Sequence, residues 1–203
     1  MSLTEISIRP ARQNDAPFIA EMIKLSMGSL ADYLFGTDGQ SIKKYIEKLV
    51  LENAGRFGLR FSFIAESAGI SKGILLSYKG RSIDLLNLAT FPHLFSAMGF
   101  GPALRFMKRG ISLPGGSEAV KDEYYISNLG VDPSSQGLGV GSALLKFAEG
   151  LARNEKLAKC SLIVALYNRD AFRLYQRFGY RVVETVQSKD ETLGYHRMVK
   201  QLS

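Results

Sequence analysis

The sequence predicts a mixed α/β domain built around a strand that runs through a glycine turn straight into a helix. Three observations predict it. Residues 124–145 are an extended apolar run, a loop carrying Gly137, Gly139 and Gly141, and an apolar helix that begins at once. A further strand over residues 159–166 leads into a second amphipathic helix at residues 169–178. Ahead of these blocks the pattern reads strand, two helices and a β-hairpin.

In chain order, Ile6 and Ile8 alternate with polar residues in a first strand that ends at Pro10. Asn14 or Asp15 caps a helix with Pro17 in its first turn and Phe18, Met22 and Leu25 on one face. Residues 26–37 read as a loop, and residues 38–54 as a helix stopped by Gly55. Two strands over 61–66 and 73–78, joined at Ala68-Gly69, form a hairpin. Residues 81–120 then read as two apolar helices, the first interrupted at Pro92, with a break at 99–102 and a stop at Gly110. The fourth strand spans 123–131. Its apolar positions Ile126, Leu129 and Val131 are spaced three and then two, the mark of a β-bulge. A helix over 137–154, a strand over 159–166, a helix over 169–178 ended by Gly179, and strands near 181–187 and 193–199 complete the chain.

The chain of 203 residues suits one domain over 1–203 with a helical insertion at about 81–120. With 46% apolar and 22% charged residues, a packed core is expected. One cysteine, Cys160, excludes an internal disulfide framework, and its place in a strand makes it core filler. Residues 1–10 carry no apolar signal region and no run is long enough for a membrane span, so the expectation is a cytoplasmic protein with no membrane partner. The formal net charge of +7 is spread along the chain rather than clustered, which argues against nucleic acid and suits a phosphate-bearing ligand. No His, Cys and Asp cluster has metal-ligand spacing, and no metal is expected.

The chemistry starts at the glycines. Without a Cβ, several backbone N–H groups can crowd one acceptor. The free N–H groups and positive dipole end of the following helix point at the same spot, which makes a pyrophosphate cradle. An ATP-type loop is excluded because Ser142-Ala143, and no lysine, follow Gly141. A dinucleotide fingerprint fails because Ser142 stands where its third glycine belongs and the next strand ends without a carboxylate. Gln136, Gly139 and Gly141 instead fit Gln/Arg-x-x-Gly-x-Gly/Ala, and Asn168, Ala171, Tyr175, Gly179 and Tyr180 fit Asn-x-x-Ala-x-x-x-Tyr-x-x-x-Gly-Phe/Tyr. The two blocks, in that order, resemble the GNAT superfamily of N-acetyltransferases. The resemblance covers about residues 122–187.

That resemblance implies a seven-stranded, mainly antiparallel sheet with helices on both faces and a V-shaped splay between strands four and five. It implies acetyl-CoA as co-substrate, with the backbone of Leu129, Gly130 and Val131 on the pantetheine arm. The pyrophosphate would lie on Gln136, Gly137, Leu138, Gly139, Val140, Gly141 and Ser142. Asn168, Ala171 and Tyr175 would line the arm, Tyr175 as general acid and the Leu129 N–H as oxyanion donor. Gln136 stands where arginine is common, and Lys146, Arg169 or Arg173 would supply the missing charge. The expected reaction is direct attack by a primary amine of a small molecule or peptide. The alternative is a coenzyme-binding sensor without catalysis. For the base, Glu123 leads, with Asp122 and Glu66 as alternatives. Asp32, Tyr33, Glu66 and Glu123 would form an acidic, aromatic mouth for the acceptor. The insertion reads as a core layer, a lid or a homodimer surface.

Overall fold

The computed structural model describes residues 5–202, so part of the leading stretch discussed above lies outside the described residues. Seven strands form one sheet. They are β1 (Ser7–Pro10), β2 (Ser62–Ser67), β3 (Ile70–Lys79), β4 (Glu123–Val131), β5 (Lys159–Ala165), β6 (Arg181–Val186) and β7 (Tyr195–Gln201), in the spatial order β1-β2-β3-β4-β5-β7-β6. The central strands β3, β4 and β5 are buried on both faces. Every neighbouring pair is antiparallel except β4 and β5.

Helices cover both faces. On one lie α1 (Ala16–Met27), α2 (Ser29–Phe35), α3 (Gly39–Leu51), α4 (Ile83–Met98) and α5 (Phe100–Ile111), packed with Ile64, Ile74, Leu76, Tyr78 and Tyr125. On the other lie α6 (Val140–Asn154) and α7 (Arg169–Arg177), packed with Leu75, Tyr124, Ile126, Leu162 and Met198. This two-sided burial follows from the pleat, which sends successive side chains to opposite faces.

Three expectations need correction. The stretch 26–37 is not a loop: α2 fills it, with Ala31, Leu34 and Phe35 buried. Seven residues are too few for periodicity to stand out, and packing of Phe35 on Phe106 and Phe57 holds the turn. Pro92 does not interrupt α4, which continues to Met98. The bond it forgoes would have gone to the carbonyl of Leu88, on the exposed side of the helix. Nor does Gly110 stop α5, which reaches Ile111.

The insertion contributes Ile83, Leu86, Leu94, Met98 and Ala103 to the core. Each large side chain so buried is worth about 1.5–3 kcal/mol relative to exposure. Its outer side carries Leu85, Leu88, Phe100 and Ile111, the last two 71% and 84% exposed.

Candidate functional site

The parallel β4–β5 ladder is short. It pairs Glu123, Tyr124, Tyr125 and Ile126 with Lys159, Cys160, Ser161 and Leu162, and stops there. The cause is visible on the other edge of β4, where Leu76 faces Asn128 and Ser77 faces Ile126, leaving Ser127 as the extra residue of a bulge. A bulge bends its strand and increases local twist. Beyond it, β4 still pairs with β3 through Val131 but has left β5.

The gap between the diverging strands is a cavity of about 130 Å³. β4 supplies Ile126, Ser127, Asn128 and Leu129 to it, and β5 supplies Leu162 through Ala165. The end of α1 adds Leu25 and Ser26, and the β5–α7 connection and α7 add Tyr167, Asn168, Ala171 and Tyr175. The Tyr167 hydroxyl accepts a hydrogen bond from the Ser29 N–H at 3.1 Å, tying that connection to the α1–α2 junction. Asn168 caps α7, its side-chain oxygen accepting from the Ala171 N–H at 3.2 Å. Tyr175 is 7% exposed, and burial pushes its hydroxyl up to about 12, so it remains protonated at neutral pH.

The glycine turn stands at the head of α6. Gln136, Gly137, Leu138 and Gly139 are exposed, and Gly139 is the helix N-cap with φ of +85°, in the left-handed region that glycine enters without strain. The first turn of α6 packs on both signature elements. A Cβ at Gly141 would lie 3.1 Å from a Leu174 methyl and 3.7 Å from a Val131 methyl. Gly130 serves a different need: a Cβ there would stand 2.7 Å from the Met22 carbonyl oxygen, so its absence lets α1 rest on β4.

The structure thus gathers Leu129, Asn168, Ala171 and Tyr175 around one cavity and sets residues 136–142 on the adjoining helix head. It does not bring Glu123 there. Glu123 opens β4, four residues before the bulge, and is 3% exposed. The Arg197 guanidinium and the Val120 N–H hold its Oε2. A carboxylate so enclosed has no path to an amine at the splay. The other base candidates also lie elsewhere: Asp122 pairs with Lys159 at 2.8 Å and Glu66 with Arg9 at 2.8 Å. The expected acidic mouth is dispersed. Asp32 and Tyr33 line a separate hollow of about 390 Å³ with Arg109, Asp190 and Thr192. Lys146, Arg169 and Arg173 are all exposed, Arg173 standing 3.5 Å from Asp170.

Four cavity groups escaped the sequence reading: Ser26, Ser127, Asn128 and Tyr167. Only the broken alternation at the bulge hinted at two of them. Ser26 arrives through the packing of α1 on Gly130, which no local pattern encodes. Cys160 is fully buried, with its thiol pushed up to about 12 by desolvation, and is no nucleophile. Among the described residues no group of three or more His, Cys, Asp or Glu is placed to hold a metal ion. Nor is any helix of these residues long and apolar enough to cross a membrane.

The fold is similar to that of acetyltransferases of known structure. An N-acetyltransferase from Staphylococcus aureus Mu50 superposes with a TM-score of 0.74 at 21% identity, over 95% of this chain and 99% of that one. Another solved acetyltransferase gives 0.71 at 22% identity, over 97% and 100%. The ribosomal-protein-S18-alanine N-acetyltransferase of Escherichia coli gives 0.58 at 17% identity, over 98% and 95%. Residues 99–180 match the model of the Acetyltransferase (GNAT) family. Over those residues, less than half of the chain, it is similar to the GNAT superfamily. In sequence it is 44% identical over 59 residues to the mycothiol acetyltransferase of Acidothermus cellulolyticus. That match covers 29% of this chain and 17% of the curated relative's length.

Proposed function

We propose that the protein transfers an acetyl group from acetyl-CoA to a primary amine by direct attack within a ternary complex. The observation that carries this reading is the cavity in the β4–β5 splay, lined by Tyr175 and Leu129 and adjoining the exposed glycine turn at the head of α6.

The turn 136–142 offers backbone donors and the helix dipole to a pyrophosphate. β4 beyond Ile126 has no β5 partner, so its edge is open to an extended, amide-bearing arm. A lysine-like amine, with pKa about 10.4, must shed a proton before attack. Ser127 and Asn128 line the cavity from β4 and carry oxygen acceptors that orient the amine N–H groups. The amine reacts as the free base, its first proton having passed to solvent water, and its second proton passes to solvent water as the C–N bond forms. The Leu129 N–H stabilises the developing oxyanion, and Tyr175 donates to the departing thiolate as the C–S bond breaks. The acceptor class proposed is a small-molecule or peptide amine.

The test is release of free coenzyme thiol from acetyl-CoA in the presence of a broad panel of amines, with products identified by mass spectrometry. Amine-dependent thiol release with matching acetylated product supports the proposal. Tight acetyl-CoA binding with no turnover on any amine would replace it with a coenzyme-binding sensor.

A further inference from the structure

We propose that Arg56 is a positioning residue through which the 81–120 insertion holds the β4 bulge in the geometry that opens the splay. The inference rests on the reading of that splay as the thioester site, but its structural half can be measured without any substrate.

Arg56 sits in a short turn (Gly55–Phe57) after α3, and both ends of the insertion grip it. Its backbone N–H donates to the Thr90 hydroxyl at 3.1 Å, which donates to the Leu86 carbonyl at 2.7 Å, both residues in α4. The guanidinium forks onto the Glu118 carboxylate, Nη1 to Oε1 at 3.0 Å and Nη2 to Oε2 at 2.7 Å, where the chain leaves the insertion. Nη1 also reaches the Asn87 side-chain oxygen at 3.0 Å. The remaining direction of Nη2 points to the Ser127 hydroxyl at 3.5 Å.

Ser127 is the bulged residue itself. Its hydroxyl accepts from the buried Tyr78 phenol at 3.0 Å and donates to the Asn128 side-chain oxygen at 3.2 Å. Asn128 in turn donates to the Ser26 hydroxyl at 2.9 Å, which donates to the Ile23 carbonyl at 2.9 Å. An unbroken run of donors and acceptors therefore leads from the insertion, through one guanidinium, to the three polar residues that face the cavity from β4 and α1. A planar five-donor fork can serve Asn87, Glu118 and Ser127 at once; the single ammonium of lysine cannot reproduce that geometry.

The variants are Arg56→Lys, which keeps the charge beside Glu118, and Ser127→Ala, which removes the hydroxyl that joins Arg56 and Tyr78 to Asn128. In the ligand-free protein, amide hydrogen exchange of residues 126–130 should quicken by about tenfold in Arg56→Lys, with the α6 amides unchanged. With acetyl-CoA and a competent amine, Arg56→Lys should lower kcat by about 10²-fold, the scale of a roughly 1 Å misplacement, with acetyl-CoA affinity little altered. The double variant should lose no more than Ser127→Ala alone. Unchanged exchange at 126–130, exchange raised evenly across the protein, or additive losses in the double variant would each overturn the proposal. Failure of acetyl transfer in the wild type alone would overturn the functional reading but not the exchange result.

Discussion

Ile126 of β4 and Leu162 of β5 are the last residues paired across the one parallel ladder of the sheet, and the next residue of β4, Ser127, is its bulge. That adjacency explains the cavity. The strand is bent at the point where it would otherwise have gone on pairing, so β4 keeps β3 and releases β5. The polar residues exposed by the bend, Ser127 and Asn128, and the apolar Leu129 after them all face the gap.

Tyr175→Phe should lower kcat by about 10²–10⁴-fold while leaving acetyl-CoA affinity nearly unchanged, because proton donation to the leaving thiolate acts in the transition state. Steady-state kinetics paired with equilibrium binding checks this. An unaltered rate would make the residue a packing tyrosine of α7, its ring tilted at 58° and centred 6.1 Å from that of Tyr180.

Glu123→Ala should behave as a stability mutation and not a catalytic one. Removing one partner of a buried ion pair costs about 3–5 kcal/mol, since the other charge is left enclosed. Arg197 would be that charge. Denaturant unfolding should show the loss, while kcat of the folded fraction stays near the wild-type value. A large fall in kcat with little change in stability would return Glu123 to the role of base.

Acid sensitivity should report the junction of β1 and α1. Hydrogen bonds from Arg9, at 2.7 and 2.9 Å, hold the Asp15 carboxyl below its ordinary value of 3.8 in spite of partial burial. A depressed folded-state value means that the contribution is fully present above the unfolded pKa near 4 and is lost as pH falls through the folded one. Asp15→Asn should therefore destabilise the protein at neutral pH and flatten its stability profile below about pH 4. Equal slopes for variant and wild type in that range would contradict this.

How much of this was legible in the sequence depends on the range of the interaction. The glycine turn and the Asn168 cap were readable because their causes are local: a left-handed φ at Gly139 and a side-chain oxygen reaching a backbone N–H three residues on. The bulge was readable because it displaced the apolar spacing of β4 itself. The enclosure of Glu123 was not legible because sequence shows a carboxylate near the strand but not Arg197, which lies 74 positions away and seals it. Ser26 and Tyr167 were invisible for the same reason, since they meet the cavity through the packing of α1 and the tie at Ser29. The short helix α2 depended on Phe106 of the insertion, beyond any local window.

Calorimetric titration of acetyl-CoA into the wild-type protein and into Gly139→Glu tests the central claim most directly. A glutamate at this helix cap would strain the left-handed backbone by about 1–3 kcal/mol and place a negative charge at the proposed pyrophosphate site. The account predicts one-to-one binding of micromolar strength or better in the wild type and none measurable in a folded Gly139→Glu. Absence of binding in the wild type, or equal binding in both proteins, would contradict it.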